Sequence, residues 1–141
     1  MRTSARNHFA GQITEVKTGA VNDEVTLRTA DGLDIVAIIT HGSASSLGLA
    51  AGIPAFALVK ASSIIVMVDD AGSRTSARNR IAGKVSALTR GAVNSEVIVA
   101  ADGGAQLAAI ITNESADRLG LAAGSAATAI FKASSVIIGV D

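Results

Sequence analysis

The sequence predicts a mostly-β chain built as two tandem five-stranded barrels, each carrying one short helix. Three observations lead there. Sliding the 141 residues against themselves gives one dominant offset, with no gap, at which 36 of the 68 positions in Arg2–Asp69 are identical to Arg74–Asp141. Each copy breaks into short apolar or alternating runs of strand length, punctuated by Gly, Asp and Ser. Apolar residues reach 49% while Pro occurs once, a balance that excludes disorder. A period of about 70 residues marks a duplicated small domain rather than a solenoid. The expected division is domain 1 over residues 1–69, a linker over 70–73 and domain 2 over 74–141.

The elements follow in order. Phe9 to Lys17 and Ile81 to Thr89 alternate apolar and polar residues, the period of a half-buried strand. Glu24 to Thr29 and Glu96 to Ala101 form the second strands, and Asp31-Gly32 and Asp102-Gly103 supply hairpin turns. Ile35 to Thr40 and Leu107 to Thr112 are β-rich third strands. Ser43 to Leu49 and Ser115 to Leu121 form the helices, with Gly52 and Gly124 as their stops. Ala55 to Lys60 and Ile64 to Val68 complete the first copy, and Ala127 to Lys132 and Val136 to Val140 the second. Five strands and a helix in so few residues suggest a Greek-key barrel of the OB type. A lone domain of this size buries little surface, so assembly into an oligomer is expected.

Composition excludes several function classes. Lys plus Arg and Asp plus Glu both total 12, for zero net charge, which argues against coating nucleic acid or an anionic membrane. Three Phe, without Trp or Tyr, provide almost no stacking platform for single-stranded nucleic acid. Without Cys there is neither a disulfide nor a thiolate site, and His8 and His41 lie too far apart for a local ligand pair. No side-chain metal site is therefore expected. The aliphatic runs are strand-length, and the N-terminus lacks the apolar core of an export signal, so a cytoplasmic address is expected. No P-loop, nucleophile elbow or paired acid and base is present, so catalysis is not expected.

The two copies can be compared with each other. They keep Arg2 to Asn7, Gly19 to Asn22, Ala37 to Thr40, Leu47 to Gly52 and Lys60 to Ser63. The polar members of these blocks are one-sided. Ser4, Arg6, Asn22, Thr40, Lys60 and Ser62, joined by the shared Ser43, all donate hydrogen bonds, and Glu24 is the one acid alongside. Donors with fixed positive charge suit a deprotonated tetrahedral oxyanion, which offers only acceptors. Thr40 and Ser43 also flank the helix start, where free N–H groups favour an anion. Either residue alone serves equally well as an N-cap, Arg6 and Lys60 as solvated surface charges, and Asn22 as a turn former. The convergence of four separated blocks and Ser43 on donor character favours the oxyanion.

These residues resemble a known family. Thr-Ser-Ala-Arg-Asn at the start of each copy, Gly-Ala-Val-Asn-x-Glu-Val further on and Lys-Ala-Ser near the end look like the Mop domain of the molbindins. The match covers essentially the whole chain, twice, and the layout is similar to the two-domain molbindins. That resemblance implies an OB-like barrel, a trimer of two-domain chains and molybdate or tungstate bound as an oxyanion between domains, with no organic cofactor. By similarity, Ser4, Arg6, Lys60, Ala61 and Ser62 form one side of a site, and Thr40 and Ser43 of a neighbouring domain the other. Ser76, Arg78, Lys132, Ala133 and Ser134 repeat the arrangement, with Thr112 and Ser115 opposite. A second class near a threefold axis involves Val21, Asn22, Val93 and Asn94.

The implied function is molybdate storage, buffering or homeostasis in the cytoplasm, without a nucleic-acid or membrane partner. Related regulators place a helix-turn-helix ahead of such a pair, and transporter ATPases carry a related domain after the nucleotide-binding one. The two copies here leave little chain for either, so a stand-alone binder is expected. The alternatives are an OB-type protein-interaction module and a molybdate-delivery partner in cofactor assembly. His41 is matched by Asn113 and Gly42 by Glu114, so where these positions lie near the sites the halves need not bind equally.

Overall fold

The computed structural model describes residues 1–141. In chain order the elements are β1 (Asn7–Lys17), β2 (Asn22–Thr29), β3 (Asp34–Thr40), α1 (His41–Ser46), β4 (Pro54–Val59), β5 (Ile65–Met67), β6 (Asn79–Arg90), β7 (Asn94–Ala101), β8 (Gln106–Thr112), α2 (Asn113–Arg118), β9 (Ala126–Phe131) and β10 (Ile137–Gly139). The strands form two five-stranded sheets, ordered β10-β4-β1-β2-β3 and β5-β9-β6-β7-β8, with antiparallel neighbours throughout. The mostly-β class with one short helix per sheet is as the sequence predicts.

The compact units do not follow the sequence repeats. The first unit comprises Met1–Val59 and Lys132–Asp141, and the second Lys60–Phe131. Each sheet thus takes its last strand from the other repeat: β10 pairs with β4, and β5 with β9. Side-chain size favours the exchange. Gly139 lies opposite Phe56, and a methyl group built on Gly139 would stand 2.3 Å from the Phe56 ring. At the equivalent place in the second unit Met67 lies opposite Thr128. Pairing within each repeat would set Phe56 against Met67 and Thr128 against Gly139, large on large and small on small. The exchange matches large with small in both units, which is what cross-strand packing rewards. Tight hairpins also need residues at positive φ, and none lies between β4 and β5. Instead a single 3₁₀ turn, Ala61–Ser63, makes that connection.

In the first unit the inward residues recur at every second position, among them Phe9, Ile13, Val25, Leu27, Ile35, Ala37, Ala57 and Val59. A bulge between Ile13 and Glu15 bends β1, and Gly52 N–H donates to Ile13 carbonyl at 2.7 Å. Gly11 is required where β1 crosses β2, because a Cβ there would lie 2.1 Å from the Arg28 carbonyl oxygen. The ends of the sheet, β3 and β10, approach each other and curl it toward a barrel. The second unit repeats these features, with Val85, Val97, Val99, Leu107, Ala129 and Phe131 inside and Gly83 against the Ala100 carbonyl.

Three local expectations shift. The helices begin at His41 and Asn113 and end at Ser46 and Arg118, earlier than the sequence suggests. Gly48 and Gly120, at φ 64 and 63, stop them rather than Gly52 and Gly124. Gly48 N–H donates to Ser45 carbonyl and Leu49 N–H to Ala44 carbonyl, a Schellman closure. In the second hairpin Gly104, not Gly103, takes positive φ, because Gly104 is the counterpart of Gly32.

The size match predicts a specific mutational pattern. Gly139→Met with Phe56 retained should overpack the β4–β10 pair and cost about 1–3 kcal/mol. Adding Phe56→Thr to that variant should recover much of the loss in chemical denaturation followed by circular dichroism. Equal stability of single and double variants would refute the packing account.

Candidate functional site

The site is assembled from the corner where β2 turns into the sheet and β3 runs into α1. Register places Asn22 opposite Thr40, and His41 N–H donates to the Val21 carbonyl at 2.9 Å. In the second unit Asn94 lies opposite Thr112, and Asn113 N–H donates to the Val93 carbonyl at 2.8 Å. The Gly-Ala-Val-Asn segment and the Thr/Ser helix start, treated as two classes in the sequence reading, are therefore neighbours within each unit.

Thr40 and Thr112 are the N-caps. Each accepts a hydrogen bond from the N–H of Ser43 or Ser115 at 3.1 Å. Each threonine also donates its hydroxyl proton to the serine Oγ, at 2.7 Å in the first unit and 2.9 Å in the second. The serine keeps its own proton to donate outward, and accepting the first bond strengthens that second donation. The helices have only six residues, so this donor chain, rather than a helix dipole, is what the corner offers an anion.

In the second unit these groups line an open hollow of about 520 Å³. Ser62, Asn94, Thr112, Ser115 and Arg118 meet there with Ile64, Ile65, Val66, Ile110, Ile111 and Leu119. Ser62 belongs to the first repeat and Thr112 to the second, so the strand exchange is what brings Lys-Ala-Ser of one copy to the Thr/Ser corner of the other. Likewise Lys132, Ala133 and Ser134 belong to the first unit, where their 3₁₀ turn packs on β3. Ala61 and Ala133 are buried at the start of these turns.

Other sequence candidates lie outside this hollow. Ser4, Arg6, Ser76 and Arg78 are exposed ahead of β1 and β6. Asn7 pairs with Val59 and Asn79 with Phe131, so Arg6 and Arg78 precede, and Lys60 and Lys132 follow, strand residues at matching ends of the ladders. Val21 and Val93 are 75% and 71% exposed, at equivalent positions of both units.

Sequence reasoning missed Asp23. Its carboxylate is buried, accepts from Gly19 N–H at 3.1 Å and lies 3.0 Å from His41 Nδ1. His41 is thus tied into the turn. In the second unit Ser95 and Asn113 replace the pair, with Ser95 Oγ donating to Asn113 Oδ1 at 2.6 Å and Asn113 Nδ2 donating to the Gly91 carbonyl at 2.9 Å. The signal was present, since both positions change together between the copies. No three His, Cys, Asp or Glu side chains gather as a metal-binding group, and no helix is long and apolar enough to cross a membrane.

Comparison with known proteins now bears on this geometry. The TOBE domain model matches residues 3–66 and again 75–138. This is a tandem TOBE-domain chain of the molbindin family. It is similar to the solved cytoplasmic molybdate-binding protein ModG with molybdate bound, at 45% identity and a TM-score of 0.96, covering 100% of both chains. It is 48% identical over 138 residues to the molybdenum-pterin-binding protein MopA of Rhodobacter capsulatus, covering 98% of this chain and 52% of MopA. It is 46% identical over 141 residues to the molybdenum transport protein ModE of Herbaspirillum seropedicae, covering 100% of this chain and 52% of that protein. The molbindin chain thus spans about half the length of these curated relatives.

The ion pairs differ between its units. Arg28 holds the Asp34 carboxyl below its ordinary range through hydrogen bonds of 2.7 and 2.8 Å, and Arg90 does the same for Asp117 on α2 at 2.7 and 3.1 Å. Lowered carboxylate values stabilise the fold above the unfolded range and lose that contribution as pH falls through the folded values. Asp34→Asn/Asp117→Asn should therefore show a shallower acid-side decline in stability below about pH 4. An unchanged decline would refute the linkage. For the buried carboxylate, His41→Asn alone should cost about 1–3 kcal/mol. Adding Asp23→Ser, which recreates the second unit's pair, should recover part of it in a double-mutant cycle by urea unfolding. Strict additivity would show that the pair is not coupled.

Proposed function

We propose that this chain binds molybdate, and tungstate by the same chemistry, for storage or buffering in the cytoplasm, without catalysing a reaction. The full-length likeness to ModG carries this reading. The site chemistry agrees with it. Molybdate and tungstate are unprotonated dianions at neutral pH, and a site of hydroxyl, amide and cationic donors satisfies their oxygens. Monohydrogen phosphate brings a proton that cationic and amide donors cannot accept, whereas sulfate is unprotonated too and in this reading is discriminated by size.

The binding groups in this reading are Ser62, Thr112, Ser115 and their counterparts Ser134, Thr40 and Ser43. The backbone of Ala61 and Ala133 joins them, with the charges of Lys60, Lys132, Arg6 and Arg78 and the hydroxyls of Ser4 and Ser76. Val21, Asn22, Val93 and Asn94 form the second class. The working form is a homotrimer, supported by the exposed Val21, Val93, Ile65 and Ile137, which repeat at equivalent positions in the two units. An anion held between chains stabilises their contact by mass action.

Native mass spectrometry with molybdate, sulfate and phosphate tests this directly, because it needs none of the Trp or Tyr signal the chain lacks. A trimer taking up several molybdates and neither control is the expected result. Arg6→Ala/Arg78→Ala should fold normally and lose about tenfold or more in affinity for one class, the scale of a removed charge-assisted contact. A monomer indifferent to all three anions would overturn the function and favour a protein-interaction module.

A further inference from the structure

We propose that Arg118 is a further oxyanion-binding residue, one that the site of the second unit has and that of the first lacks. The inference rests on the proposed molybdate-binding function and deepens it. Arg118 lines the same hollow as Ser62, Asn94, Thr112 and Ser115. It stands three residues after Ser115 on α2, and residues three apart share a helix face. Its guanidinium is therefore presented on the side of the helix that carries the outward serine proton.

The two copies differ here in a way that isolates the residue. The counterpart of Arg118 is Ser46, whose hydroxyl donates back to the Ser43 carbonyl at 3.2 Å and is spent within its own helix. Arg118 has no such internal use. The neighbouring Asp117 is taken by Arg90, at 2.7 Å, and Arg118 forms no ion pair with Glu114 one turn earlier. Glu114 places a carboxylate in the first turn of α2 where the first unit has Gly42, a charge unfavourable to an anion at that corner. An arginine on the same hollow offsets it and supplies a planar fork that matches two oxygens of a tetrahedral anion.

The test is molybdate titration of the full-length chain by isothermal calorimetry at two salt concentrations, with Arg118→Ser, Arg118→Lys and Ser46→Arg variants. Arg118→Ser should weaken one class of sites by roughly fivefold or more, with a flatter salt dependence. Arg118→Lys should recover only part of the loss, and Ser46→Arg should tighten the other class. Unliganded thermal midpoints should stay close to wild type, since the residue is exposed. Wild-type binding with Arg118→Ser indistinguishable from it would overturn this inference alone, as would lowered unliganded stability with unchanged affinity. A wild-type chain that takes up no molybdate would overturn the function and this inference with it.

Discussion

The match of Phe56 to Gly139 and of Met67 to Thr128 is the constraint on which the rest of the molecule depends. Either repeat contains every strand type needed for a five-stranded sheet, yet neither finishes its own. Two short strands, each three residues long, change places because the alternative pairing would crowd one sheet and leave the other underfilled. Each exchanged strand arrives with the 3₁₀ turn that precedes it. Lys-Ala-Ser is thereby delivered to the Thr/Ser corner belonging to the other repeat, and the candidate site owes its composition to packing some distance away.

What the corner provides is a directional set of donors. A threonine caps a helix of under two turns and passes its hydroxyl proton to a serine, which faces outward with its own proton unspent. The backbone of the preceding turn is held in place from behind, by Asp23 and His41 in one unit and by Ser95 and Asn113 in the other. Those two solutions fix the same segment with different chemistry. Such replacement preserves the geometry presented to a ligand while changing the charge beneath it.

Much of this was legible in the sequence. Strand periodicity located most elements within a few residues, and the shared donor blocks pointed to an oxyanion. Strand partners were not legible, because repeats this similar offer two nearly equivalent pairings and hydropathy cannot choose between them. The sizes at positions 56, 67, 128 and 139, together with the 3₁₀ connection after β4, break the tie. The helix stops were misplaced because several glycines compete in Leu47–Gly52, and only backbone hydrogen bonding distinguishes the αL cap from the glycine that serves the β1 bulge. Asp23 does not stand out among the residues the copies share, because its role shows in a paired difference with His41.

The strand exchange also orders events during synthesis. The second unit is one contiguous stretch, Lys60–Phe131, and its strands are all available once that stretch has emerged. The first unit must hold β4 with an open edge until β10, some eighty residues later, has been made. Its long sequence separation makes closure of that edge the slow, late step of folding. The earlier half of the chain is thus the last to be completed, and for that interval the exposed edge of β4 is where a nascent chain is most open to mispairing with another copy.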